Sequence, residues 1–229
     1  MNNNDKSFRL VRFAFVAACI TMSASTSQAA LIYHVDINTT PLVGSLNGPF
    51  SLDFQLTDGS GNFLVGVNTV TLSNFIFTGG TPTGSASLFG GAAGSLSSTV
   101  TLTDDASFLN EFFQGFSALT TKIGFDVLLT TNVDPGPTPD AFSMAILNDT
   151  LSNIPTTGLG DSLMLVNINS ASLSLSDVQK FTGSPSGVTV AASPVPEPSS
   201  WLVMGSGFIA LGWRARRRNI KGVAGETAS

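Results

Sequence analysis

The 229-residue chain has one cysteine, one histidine, one tyrosine and two tryptophans, and only 11% of its residues are charged. The cysteine, Cys19, lies in an apolar stretch near the N-terminus, and Trp201 and Trp213 lie near the C-terminus. A single thiol excludes an intramolecular disulfide framework and a cysteine-rich metal centre. One histidine, His34, with no further Cys or His beside it, falls short of a zinc donor set, and no Gly-x-Ser-x-Gly elbow accompanies it. Arginine is absent from Ala30 to Pro198, where Lys122 and Lys180 face thirteen acidic residues, a net charge of −11 against −5 for the whole chain. Such a segment is a poor ligand for nucleic acid or anionic lipid. The glycines between Gly79 and Ser98 lack the Lys-Ser/Thr of a phosphate-binding loop. No catalytic residue, metal site or cofactor is expected.

Both ends carry what the middle lacks. Lys6, Arg9 and Arg12 precede an apolar run from Phe13 to Met22, and Ser27-Gln28-Ala29 supplies small residues at the −3 and −1 positions. Residues 1–29 are thus expected to form a signal peptide cut between Ala29 and Ala30 by signal peptidase after engaging the secretion machinery. Val16-Ala17-Ala18-Cys19 has the look of a lipobox, but only six apolar residues separate Arg12 from Cys19. At the other end, Pro196 and Pro198 fix their own backbone and hold Glu197 extended between them. Residues 199–213 are long enough for a helix of about 22 Å, short for a hydrocarbon core. Trp201 and Trp213 at its ends, and snorkelling of Arg214, Arg216, Arg217 and Arg218, compensate for that length. The arginines also place residues 219–229 in the cytoplasm and the body outside.

Pro196, Glu197 and Pro198, the apolar segment and the arginine cluster together resemble the PEP-CTERM sorting signal of exopolysaccharide-producing Gram-negative bacteria. That resemblance implies recognition and processing by a transmembrane exosortase. Eleven residues follow the last arginine, a longer tail than the pattern usually has, and this bears on processing efficiency. The implied route is export, an inner-membrane intermediate with the body in the periplasm, then the cell surface or matrix.

The body, residues 30–183, alternates polar with apolar residues in Thr69–Ser73, Thr99–Thr103 and Ser170–Ser176. Further strands are expected at Ile32–Ile37, Phe50–Leu56, Phe75–Thr78, Gly124–Thr130, Phe142–Leu147 and Ser162–Ile168. Period-two patterning between turn signals such as Asp58-Gly59 and Gly79-Gly80 predicts an all-β, antiparallel, jelly-roll-like sandwich. One short helix is expected from Asp105, with Phe108, Leu109, Phe112, Phe113 and Phe116 on one face and Asp104 or Asp105 capping it. Gly79–Ser98 reads as a loop or weak hairpin, and 184–194 as a linker. Strings such as Leu52-Asp53-Phe54-Gln55 and Ile123-Gly124-Phe125-Asp126-Val127 resemble a domain of PEP-CTERM proteins that has no assigned activity.

The expected function is therefore a structural or interaction role at the surface or in the matrix, and not an enzymatic one. A carbohydrate-binding module for exopolysaccharide is the alternative, with Tyr33 the aromatic available to a sugar. A metal-independent glycosidase would have to draw its carboxyl pair from Asp53, Asp104, Asp105 and Asp126, of which Asp53 and Asp126 are expected on exposed strand faces. Calcium at Asp134 and Asp140 is outweighed by a rigid acidic turn, and the Thr99, Thr101, Thr103 row reads as the wet face of a strand.

Overall fold

The computed structural model describes residues 30–195 apart from 62, 64, 65 and 134. The expected signal peptide (1–29), the Pro196-Glu197-Pro198 motif, the expected membrane helix (199–213), Arg214, Arg216, Arg217 and Arg218 and the expected cytoplasmic tail (219–229) lie outside the described residues. Among the described residues no helix is long and apolar enough to cross a membrane.

Twelve strands form among the described residues: β1 (Ala30–Asn38), β2 (Phe50–Thr57), β3 (Thr69–Thr78), β4 (Pro82–Phe89), β5 (Gly91–Gly94), β6 (Val100–Thr103), β7 (Leu109–Phe116), β8 (Lys122–Thr130), β9 (Asp140–Leu147), β10 (Met164–Ile168), β11 (Gln179–Lys180) and β12 (Thr189–Pro194). Sheet A has the order β12-β1-β8-β3-β6-β5 and sheet B the order β11-β10-β9-β2-β7-β4. The antiparallel pairs β1·β8, β2·β7 and β3·β6 are nested one inside the next. A long ribbon folded over in this way is the jelly-roll arrangement. Its tip is split: β4 pairs with β7 in sheet B and β5 with β6 in sheet A. Gly90 makes the crossing, at φ 61° and where an added Cβ would stand 2.5 Å from Asn110 Oδ1 and from the Leu109 carbonyl oxygen. Only glycine fits both demands.

Alternation explains the core. Tyr33, Val35 and Ile37 of β1 and Ile123, Phe125, Val127 of β8 point inward from sheet A; Leu52, Phe54, Leu56 of β2 and Phe142, Met144 of β9 do so from sheet B. Phe54 joins the layers, with its ring centroid 5.4 Å from Phe125, 6.1 Å from Phe112 and 6.3 Å from Phe75. Each such buried ring contributes on the order of 2 kcal/mol by apolar burial.

Four expectations are corrected. No helix follows Asp105; Leu109–Phe116 is strand β7, pairing with β2 on one side and β4 on the other. A four-residue spacing such as Phe112–Phe116 is also two steps of period two, and Asn110 and Gln114 occupy the alternate inward positions. Those two buried amides hid the strand, and each is satisfied by backbone. Gln114 accepts from Leu96 N (2.8 Å) and donates to the Gly84 carbonyl (2.9 Å); Asn110 accepts from Gly91 N (2.7 Å) and donates to the Ser107 carbonyl (2.9 Å). Second, Gly79–Ser98 holds β4 and β5 in different sheets, with no hairpin between them. Third, Ser170–Ser176 is not a strand: the Asp177 carboxylate accepts from Ser174 N (2.8 Å) and Oγ (2.9 Å), winding Leu175–Asp177 into a 3-10 turn. Fourth, the second half of the expected linker is β12, added to sheet A beside β1.

Candidate functional site

On the outer face of sheet A the chemistry comes from cross-strand register. His34 of β1 is paired with Asp126 of β8, Asp36 with Gly124, and Asn38 with Lys122. The His34 Nδ1 lies 2.6 Å from Asp126 Oδ1, and its Nε2 lies 3.4 Å from Asp36 Oδ1, which also meets Lys122 Nζ at 2.9 Å. A bulge in β3 between Ser73 and Ile76, with Asn74 at φ 55°, lets the Asn74 amide donate to Asp126 Oδ2 at 2.7 Å. Partial burial works against both carboxylates. It is outweighed by Lys122 and His34 at Asp36, and by Asn74 and His34 at Asp126, so both titrate below the ordinary carboxylate range.

Gly124 gives this face its depth. A Cβ there would sit 3.1 Å from Asp36 Oδ1 and 3.4 Å from His34 Nε2, so a larger residue would fill the space beneath them. A hollow of about 110 Å³ opens over Gly124 between His34, Ile76 and Lys122. A larger groove of about 470 Å³ shares Asp36, Thr78 and Lys122 with it and extends past Asn38 to Thr189 and Ala191 of β12.

The outer face of sheet B is arranged differently. Asp53, outward between the inward Leu52 and Phe54, is nonetheless only 1% exposed, against the expectation of an exposed strand residue. Its register neighbours are Phe113 of β7 and Ala145 of β9, and Ala145 is itself buried. Gln55 Nε2 donates to Asp53 Oδ2 at 2.8 Å and to Glu111 Oε1 at 2.9 Å. Burial first, and then the charge of Glu111, push Asp53 up to about 7, with the Gln55 hydrogen bond opposing. Asp53 Oδ1 is buried without a hydrogen-bond partner. A glycosidase pair needs the space between its carboxyls open, and here the Gln55 nitrogen bridges them.

A third cluster ties loops together at one end of the sandwich. Asn68 donates from its backbone N to Asp104 Oδ1 (2.7 Å) and from Nδ2 to Asp140 Oδ2 (2.7 Å) and the Asn132 carbonyl (2.9 Å), while Asp58 Oδ1 accepts from Gly61 N (2.6 Å). Burial first, opposed by the Asn68 hydrogen bond and reinforced by the charges of Asp140 and Asp58, pushes Asp104 up to about 7. Asp104 is thus a buried hub and Asp105 an exposed turn residue, neither a helix cap. Asp134 lies outside the described residues, and among those described no group of three or more His, Cys, Asp or Glu side chains is placed to hold a metal ion.

Tyr33 is fully buried, its hydroxyl 3.9 Å from Met164 Sδ, and presents no ring to a sugar. Asp36, Lys122, Asn74 and Gly124 carry no sequence signal: nothing in their spacing announces that register sets them around His34. Asp53 and Glu111 are far apart in sequence and meet only through the β2·β7 pairing.

No curated protein matches the chain, and no solved structure does. The family model of the PEP-CTERM protein-sorting motif matches residues 194–218. That match leaves the resemblance of the body to a PEP-CTERM domain group without support, since it reaches the sandwich only at Pro194, the last residue of β12. Residues 194–218 thus carry the PEP-CTERM protein-sorting motif, which implies export, membrane-anchored transit and processing by an exosortase.

Proposed function

We propose that the sandwich is a non-catalytic structural or interaction component of the cell surface or extracellular matrix, released there after exosortase processing. The observation that carries it is the engagement of the groups a catalyst would need. Both ring nitrogens of His34 face carboxylates, at 2.6 and 3.4 Å, and among the described residues neither is hydrogen-bonded to a hydroxyl that could serve as a nucleophile. The strongly negative body suits solubility outside the cell.

A carbohydrate-binding module is the second reading, favoured by the groove of about 470 Å³ beside Asp36 and Lys122. Hydrolysis assays over a broad glycan panel separate an enzyme from both: no turnover is expected, and turnover abolished by Asp53→Asn or Glu111→Gln overturns the non-catalytic reading. Delivery is tested by following an epitope-tagged protein with Glu197→Ala in cells that carry an exosortase. The variant is expected to keep its unprocessed mass and stay in the membrane, and an unchanged mature mass and location would reduce the tail to an ordinary anchor.

A further inference from the structure

The groove on sheet A runs across the strands rather than along them. Its lining comes in order from β12 (Thr189, Ala191), β1 (Asp36, Asn38), β8 (Lys122) and β3 (Thr78), four neighbouring strands. Three strand spacings of about 4.8 Å make it about 14 Å long, the reach of a short oligosaccharide. Its polar groups alternate in kind. Asp36 is an acceptor, and Lys122, 52% exposed, directs one contact to Asp36 Oδ1 and has further protons to give. Asn38 takes the Thr40 N–H on its Oδ1, which leaves its amide nitrogen as a donor. Thr189 and Ala191 at one end and Thr78 at the other flank these polar groups.

The charge balance narrows the ligand. Asp36 and Lys122 neutralise one another, so the groove has no net charge to attract an anion. Among the described residues no group of three or more His, Cys, Asp or Glu side chains is placed to hold a cation. An acceptor and a donor held 2.9 Å apart on adjacent strands match adjacent hydroxyls on one ring, one donating to Asp36 and the next accepting from Lys122. The small side chains of Thr78, Thr189 and Ala191 to either side suit the C–H faces of neighbouring rings.

We propose that this transverse groove, walled by Asp36 and Lys122, is a binding subsite for a neutral, polyhydroxylated chain: a short stretch of oligosaccharide laid across β12, β1, β8 and β3. The proposal rests on the carbohydrate-binding reading of the sandwich and adds where the sugar sits and by which groups it is held. Binding here needs no aromatic platform, consistent with the burial of Tyr33.

The test is calorimetric titration of the full-length protein with cellohexaose, xylohexaose and isomaltohexaose. Lys122→Ala and Asp36→Asn are compared with Thr101→Val, which lies on the same sheet but outside the groove. Saturable binding of at least one probe is expected, weakened about 10-fold or more by each groove variant, unchanged by Thr101→Val, and insensitive to salt between about 50 and 500 mM. Melting temperatures measured in parallel check that the variants are folded. Gly124→Ala, whose Cβ would stand 3.1 Å from Asp36 Oδ1 and displace that carboxylate without deleting a polar group, is expected to weaken binding as well. Binding that survives all three groove variants overturns this subsite and leaves the carbohydrate reading standing. No binding of any probe by the unaltered protein overturns both, leaving the structural role.

Discussion

On sheet A the carboxylates of Asp36 and Asp126 lie against Lys122, His34 and Asn74, whereas on sheet B that of Asp53 lies against a second carboxylate, Glu111, with only the neutral amide of Gln55 between them. Asp36 and Asp126 are partly exposed and held below their ordinary range; Asp53 is buried and raised to about 7. Both faces sit on the same Phe54-centred core, so the contrast arises from register and burial, not from different architecture. An opposite charge across the strand makes a carboxylate into surface chemistry that water and ligands can reach. Burial beside neighbours such as Phe113 and Ala145, with a like charge across the strand, makes it a group that prefers to be neutral.

The contrast is broken most completely from beneath. Phe54→Ala removes the ring shared by both layers and is expected to cost about 3–5 kcal/mol in urea unfolding. A smaller loss would mean that the sheets are held mainly at their rims.

The pH dependence of stability comes next. Because Asp53 and Asp104 have folded pKa values of about 7, above their unfolded values, the native state binds more protons than the unfolded chain from about pH 4 to about 7. Stability should therefore fall as pH rises through that window. Asp36 and Asp126 act in the opposite sense and in another window, losing their contribution only as pH falls below the ordinary carboxylate range. Thermal melts should show a higher Tm at pH 5 than at pH 8. Asp53→Asn should flatten that slope and raise the Tm at pH 8 by about 4–8 °C, on the order of 2 kcal/mol. A pH-independent Tm would refute the neutral-acid account of sheet B.

Gln55 sharpens the same point. Gln55→Leu removes the one donor between the two carboxyls, so the Asp53 midpoint, followed by carboxyl NMR, should move upward, with a loss of about 1 kcal/mol at pH 8. On sheet A the effects are smaller. Asp126→Asn should cost less than about 1 kcal/mol, as partly exposed pairs do, and a larger loss in chemical denaturation would show that the His34 network holds β1 to β8. Thr101→Val, opposite Thr71 on the wet face, should change stability by no more than about 0.5 kcal/mol.

Strands that repeat a clean alternation are legible along the chain itself: β1, β2, β8 and β9 fall within a few residues of the apolar-polar runs that announce them. Strand β7 is not, because Asn110 and Gln114 stand at inward positions as partners for the backbone of the β4–β5 corner, a role visible only once that corner exists. Ser170–Ser176 misleads in the other direction: its alternation is real, but a local Asp177 hydrogen bond competes with pairing. Of the candidate site, only His34, Asp53 and Asp126 stand out as residue types. Their partners Asp36, Lys122, Asn74, Gln55 and Glu111 do not, since no spacing along the chain encodes which strand lies beside which.

By itself the sequence determined the address and the class of cargo: a Pro-Glu-Pro tail with its apolar run and arginines, and an acidic, period-two body. These are local properties, readable because an extended motif and an amphipathic strand are each specified by adjacent residues. Only the tertiary structure decided which carboxylate meets a cation and which meets a carboxylate, because strand order and register, not sequence distance, set those neighbours. The nested β1·β8 and β2·β7 pairs bring residues together across 92 positions at His34–Asp126 and 56 at Gln55–Glu111. That is also why sheet A carries a groove and sheet B a buried acid.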